Sequence, residues 1–152
     1  MSRAIVLTYA SVNETEKDIL KHTNIFKIAI NQHAEEFNPD VRICSDYILK
    51  NLLQNFSQKT VSIREIPRIK NERVITPKIE FKGATIISAL EYLIMNSYNE
   101  ILIIGDNKVN HEEFQNLVST EIDKLKSRAK IYQYTKGNFN LPVKSITEFC
   151  SE

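Results

Sequence analysis

One stretch, Gly83 to Asn107 (GATIISALEYLIMNSYNEILIIGDN), constrains what this chain can fold into more than any other. Gly83-Ala84-Thr85 opens it, and apolar residues then recur at Ile86, Ile87, Ala89, Leu90, Leu93 and Ile94. That spacing predicts a helix with one broad apolar face. Asn96 to Asn99 is turn chemistry. Ile101 to Ile104 is a continuous apolar run, the mark of a strand covered on both faces inside a parallel sheet. Gly105-Asp106-Asn107 closes the strand with a sharp turn. Ligands of open parallel sheets bind beyond the carboxyl ends of the strands. A buried helix, a buried strand and a polar strand tip therefore come as one unit.

The rest of the chain repeats the alternation. Strands are expected at Ala4 to Thr8, Ile25 to Ile30, Val41 to Cys44, Thr60 to Ile66, Val74-Ile75 and Lys130 to Tyr134. Ser11 stands three residues before Glu14, the spacing of a capping box, and is expected to cap a first helix ending near His22. Ser45-Asp46 is expected to cap a second, with Ile48, Leu49, Leu52, Leu53 and Phe56 on one side. Asn110 is expected to cap a fourth, with Phe114, Leu117, Val118, Ile122 and Leu125 as its core face. A short terminal helix follows near Ser145 to Cys150. Residues 57–82 are harder to assign, because Pro67 and Pro77 prevent a long element. The fold class is α/β: one Rossmann-like, doubly wound, mostly parallel sheet over residues 1–152, with helices on both faces and Ile101 to Ile104 central. Leu90, Leu93, Leu102 and Ile104 should be nearly inaccessible.

Composition narrows function mainly by exclusion. A net charge of +1 provides no global attraction to nucleic acid or to an acidic membrane. The aromatic residues show no linear spacing for base stacking, so nucleic acid is not an expected partner. No apolar run approaches the roughly 20 residues of a transmembrane helix. Ala4 to Leu7 is too short for a signal-peptide core, so a cytoplasmic location is expected. Cys44 and Cys150 have neither metal-binding nor redox spacing, and both should be reduced. No metal site and no cofactor motif is read.

The expected strand tips line up Ser11, Asn31, Ser45-Asp46, Gly105-Asp106 and Thr135 on one edge of the sheet. Each has a second reading. Asp106 is either a hydrogen-bond acceptor for a ligand or a turn former. Asn31 is either a ligand contact or a loop asparagine, and Ser45-Asp46 is read first as a helix cap. His111 is a weak candidate for a catalytic base, since no orienting partner is visible, and His22 and His33 have no better case. Lys59, Arg64, Arg68, Lys70, Arg73, Lys78 and Lys82 could hold a phosphate or an anionic sugar, or form a solvated face with the interleaved acids.

Four short segments, in order along the chain, carry a resemblance. They are Ile28-Ala-Ile-Asn31-Gln32; Phe37-Asn-Pro-Asp-Val-Arg-Ile-Cys-Ser45-Asp46-Tyr47; Gly83-Ala-Thr85 with Ala89, Leu93, Tyr98 to Ile101 and Ile104 to Asn107; and Ile131 to Thr135 with Leu141 to Phe149. Together they resemble the nucleotide-binding core of the motility accessory factor family and of bacterial sialyltransferases that build surface glycans. The resemblance implies a glycosyltransferase-like protein that takes a CMP-sugar type of nucleotide-sugar, with a glycan or protein acceptor. It implies nucleotide contacts at Ser11, Asn31, Thr85, Gly105 and Asp106. In that family the first strand normally ends in Gly-x-Gly-Pro-Ser; here Thr8-Tyr9-Ala10-Ser11 stands, of which only the serine fits. Two other readings stay open. One is a degenerate, non-catalytic module that binds a nucleotide or a protein. The other is an unrelated Rossmann-like enzyme, such as a relative of the nucleoside phosphorylases.

Overall fold

The computed structural model describes residues 2–9, 11–44, 46–63, 71–105, 112–135 and 139–151. Seven strands form one all-parallel sheet: β1 (Arg3–Leu7), β2 (Phe26–Ile30), β3 (Val41–Cys44), β4 (Lys59–Ser62), β5 (Val74–Ile75), β6 (Glu100–Ile104) and β7 (Lys130–Gln133). Among the described residues five helices accompany them: α1 (Glu14–His22), α2 (Asp46–Asn55), α3 (Thr85–Met95), α4 (Glu112–Leu125) and α5 (Ile146–Ser151). The strand order is β5-β4-β3-β2-β1-β6-β7. The chain therefore builds outward from β1 to β5, returns through α3, and adds β6 and β7 on the far side of β1. Beside β1 the winding reverses, which makes the β1–β6 boundary the topological switch point.

Period-two alternation sorts the strand residues onto two faces. Ala4, Val6, Ile28, Ile30, Ile101 and Ile103 pack under α3 and α4. Ile5, Leu7, Ala29, Leu102 and Ile104 face α1, α5 and the 3-10 turn Glu35–Phe37. Cys44 carries α2 on that second face through Leu49 and Leu52. Helices that extend the sheet from β1 towards β4 thus lie on one side, and those that take it back towards β7 lie on the other. Right-handed crossovers require this division. Leu90, Leu93 and Leu102 are fully buried and Ile104 is nearly so.

Several local expectations change. The cap of α1 is Asn13, whose side chain accepts from the Glu16 amide at 2.8 Å; Ser11 is exposed two residues earlier. Asparagine is as good a cap as serine, so the helix starts where the next apolar positions face the sheet. β4 stops at Ser62, short of the expected Ile66. β6 is interior but stands one place from the β7 edge, and β2 holds the middle of the sheet. Leu117, expected in the core, is 38% exposed; Val118, Ile122 and Leu125 of α4 are buried in the core, and Phe114 packs against it half-buried. Ser45, Asn110 and the segment 64–70 lie outside the described residues. No disulfide joins Cys44 and Cys150. Among the described residues, no helix is long and apolar enough to cross a membrane.

Candidate functional site

The carboxyl edge of the sheet gathers the tips of β1, β2 and β6. At the switch point the tips of β1 and β6 touch. Thr8 continues the β1–β6 pairing by donating its amide to the Ile104 carbonyl at 2.9 Å. Gly105 follows with φ +101°, and a Cβ there would stand 2.5 Å from the Tyr9 carbonyl oxygen and 2.7 Å from Thr8 Oγ1. Gly105 is therefore a glycine because the first strand's tip lies against it, whatever else the site does.

The β2 tip is organised by a residue that sequence reading passed over. Arg42, in β3, is fully buried. One of its terminal nitrogens donates to two carbonyls, Asn31 O at 2.7 Å and His33 O at 2.6 Å. The other pairs with the Glu35 carboxylate. The guanidinium also lies 4.2 Å from the centre of the Phe56 ring. Burial pushes the Arg42 pKa down, and the hydrogen bond and charge of Glu35 oppose that shift. The arginine fork reaches two carbonyls from one nitrogen and a carboxylate from the other, a planar spread that the single nitrogen of a lysine does not offer. The loop from β2 to β3 is thus pinned from below.

The pinned loop presents His33 beside Tyr9. Asn31 has φ +54°, a left-handed conformation that asparagine tolerates better than most residues. Its Oδ1 is buried and has no hydrogen-bond partner among the described residues. The Tyr9 and His33 rings lie 6.1 Å apart at 66°, an edge-to-face pair, and Tyr9 remains 56% exposed. Burial, and then the charge of Arg42, lowers the His33 pKa, so the imidazole is neutral at pH 7.

Of the expected nucleotide contacts, Gly105 lies against the Tyr9 backbone, and Asn31 follows β2 two residues before His33, whose ring meets that of Tyr9. Thr85 opens α3, which packs across β1, β2 and β3. Asp106 and His111 lie outside the described residues. Tyr9 and His33 are additions. Neither has a signal in linear spacing, because they follow different strands. Two cations of the basic segment have structural work. Arg73 donates to the Phe56 and Leu53 carbonyls at 2.7 and 2.9 Å, closing the end of α2. Lys82 joins Glu91 and Glu121 at 3.0 and 3.4 Å. No group of three or more His, Cys, Asp or Glu among the described residues could hold a metal ion.

A clasp closes the far side of this edge. Tyr134, just past β7, donates its hydroxyl to Glu16 Oε1 at 2.6 Å, joining the β7 tip to the first turn of α1. Burial, then the hydrogen bond to the carboxylate, raises the Tyr134 pKa to about 12. The folded value exceeds the unfolded one of about 10. The clasp's contribution is therefore fully present below pH 10 and is lost as pH rises through about 12. In a tyrosine absorbance titration that compares wild type with Tyr134→Phe, the missing step should fall near pH 12. A missing step near pH 10 would show that the clasp does not hold the proton.

No family model, curated protein or solved structure matches this chain.

Proposed function

We propose that this chain binds a nucleotide or nucleotide-sugar across the carboxyl edge of its sheet, as a divergent glycosyltransferase-like protein. The observation that carries the reading is the start of α3. Its N-cap is Ala84, which has no side chain able to cap, and its first turn has no acidic residue. By contrast, α1 is capped by Asn13 and carries Glu14 and Glu16 in its first turn. Among the described residues no N-cap side chain satisfies the leading amides of α3, and the helix dipole favours an anion there. A phosphate at a helix start beside a switch point is the usual arrangement of nucleotide-binding α/β folds. The family resemblance supports the same ligand class and, as the chemistry, transfer from a CMP-sugar type of donor to a glycan or protein acceptor.

The contact of Gly105 with Tyr9 favours one version of this reading. The first strand's tip is filled by a tyrosine backbone where a glycine turn would admit a pyrophosphate. A module that binds a nucleotide with slow or no turnover fits that contact better than an efficient transferase.

Calorimetry with CMP, UMP, GMP and the nucleoside cytidine tests the proposal. CMP should bind, and cytidine more weakly, because only CMP brings a charge to α3. Hydrolysis of CMP-sugar should be slow. If no nucleotide bound at millimolar concentration, the reading would fall.

A further inference from the structure

A concavity of about 270 Å³ opens where α2 meets the β2–β3 loop, lined by Gln32, Ile48, Asn51, Leu52, Asn55 and Phe56. Positions 48, 51, 52 and 55 are spaced by three and four, so α2 presents them as one stripe. Leu52 is buried, and Ile48 and Phe56 pack with it as the apolar side. Gln32, Asn51 and Asn55 are exposed, and none of these carboxamides has a hydrogen-bond partner among the described residues. Both walls are fixed from behind. The carbonyls on either side of Gln32, Asn31 O and His33 O, accept from one nitrogen of Arg42. The Arg42 guanidinium also packs on the Phe56 ring, and Arg73 donates to the Leu53 and Phe56 carbonyls. Walls that are already ordered cost a ligand little rearrangement.

We infer that this concavity binds one neutral sugar ring, with its C–H face on Ile48, Leu52 and Phe56 and its hydroxyls paired with Gln32, Asn51 and Asn55. Three features select that ligand. No ionisable side chain lines the concavity, so a charged group would find no counter-charge there. A carboxamide both donates and accepts, as a hydroxyl does, so each amide can serve whichever way a hydroxyl is turned. The volume lies just under the about 300–1,000 Å³ of drug-sized ligand pockets, which suits a single ring and not a whole nucleotide. A base carries its polar groups in the plane of its edges. A sugar carries hydroxyls around the whole ring, which suits amides that arrive from both a loop and a helix. The site does not depend on the nucleotide reading, since it lies against α2, not α3, and takes an uncharged ligand.

An amide NMR titration with glucose, galactose, N-acetylglucosamine, glucuronate and cytidine tests the site in wild type and in the double variant Asn51→Ala/Asn55→Ala. Alanine is a better helix former than asparagine, so the double variant should keep its fold, and its own spectrum reports whether it does. At least one of the three neutral sugars should bind at millimolar concentration and move the signals of Gln32 and residues 48–56. The double variant should weaken that sugar by about 10-fold or more, the scale of two lost hydrogen bonds. Glucuronate should bind more weakly than the best neutral sugar. If no neutral sugar moved those signals, or if the shifts were the same in the double variant, the site would be overturned. Cytidine binding there more tightly than every sugar would also overturn it, in favour of a base. Neither result bears on CMP at α3, which calorimetry measures separately.

Discussion

Arg42→Ala is expected to destabilise the fold by about 3–5 kcal/mol, the range for breaking a buried charged network. The side chain is fully buried and holds two carbonyls, a carboxylate and an aromatic face. Truncation leaves Asn31 O and His33 O without their donor, at about 1–3 kcal/mol for each buried group left unpaired. It also opens a void against Phe56. Glu35 is not the main loss, because it is about half exposed and keeps a bond from Gln58 at 3.1 Å. Arg42→Met should recover the packing and leave the polar loss, so it should fall between wild type and alanine. Urea denaturation would rank the three. A midpoint for Arg42→Ala equal to wild type would mean that the β2–β3 loop is held by something other than this guanidinium. The expected loss is a large share of the 5–15 kcal/mol typical of a domain.

Gly105→Ala should cost about 2–4 kcal/mol, through backbone strain and overpacking together. A φ of +101° is unfavourable for any residue with a Cβ, and here the new methyl would meet the Tyr9 carbonyl group and Thr8 Oγ1. These are backbone and near-backbone atoms next to the Thr8–Ile104 hydrogen bond, which move aside less cheaply than the end of a flexible side chain. Gly83 is the internal comparison. Its φ is +90°, but its added Cβ would meet only Leu117 Cδ2, at 2.9 Å. That methyl ends a flexible, partly exposed side chain and can swing away. Gly83→Ala should therefore carry the strain alone, about 1–2 kcal/mol. Equal losses for the two variants would show that the β1–β6 contact at the tip is not tight.

Much of the architecture is determined by the linear pattern. Ile101 to Ile104 is apolar without alternation, and only a strand covered on both faces can bury it. The α3 face from Ile86 to Leu93 has to be buried, and it packs on the apolar face of that sheet. Val41–Cys44 and Val74–Ile75 fell as expected, whereas the ends of β1, β2, β4 and β7 moved by a residue or more, since hydrogen-bond register decides them and composition does not. The cap of α1 moved from Ser11 to Asn13 for a similar reason: both side chains can cap, and packing of the following turn selects one.

The site is different. Asn31 and Gly105 were legible as strand-tip residues, but their reasons were not. Gly105 is glycine because of Tyr9, nearly a hundred positions earlier, and Asn31 is held left-handed over a buried arginine from the next strand. Arg42 itself reads as an ordinary charged residue in a short strand until α2 and the β2–β3 loop close over it. Tyr9 and His33 have no periodic relation, so no spacing rule could pair them. Parallel strands need long crossovers, which place neighbours in space far apart in sequence. Local pattern therefore determined the elements and their buried faces. Tertiary structure alone decided which tips meet, because that depends on the order of strands in the sheet.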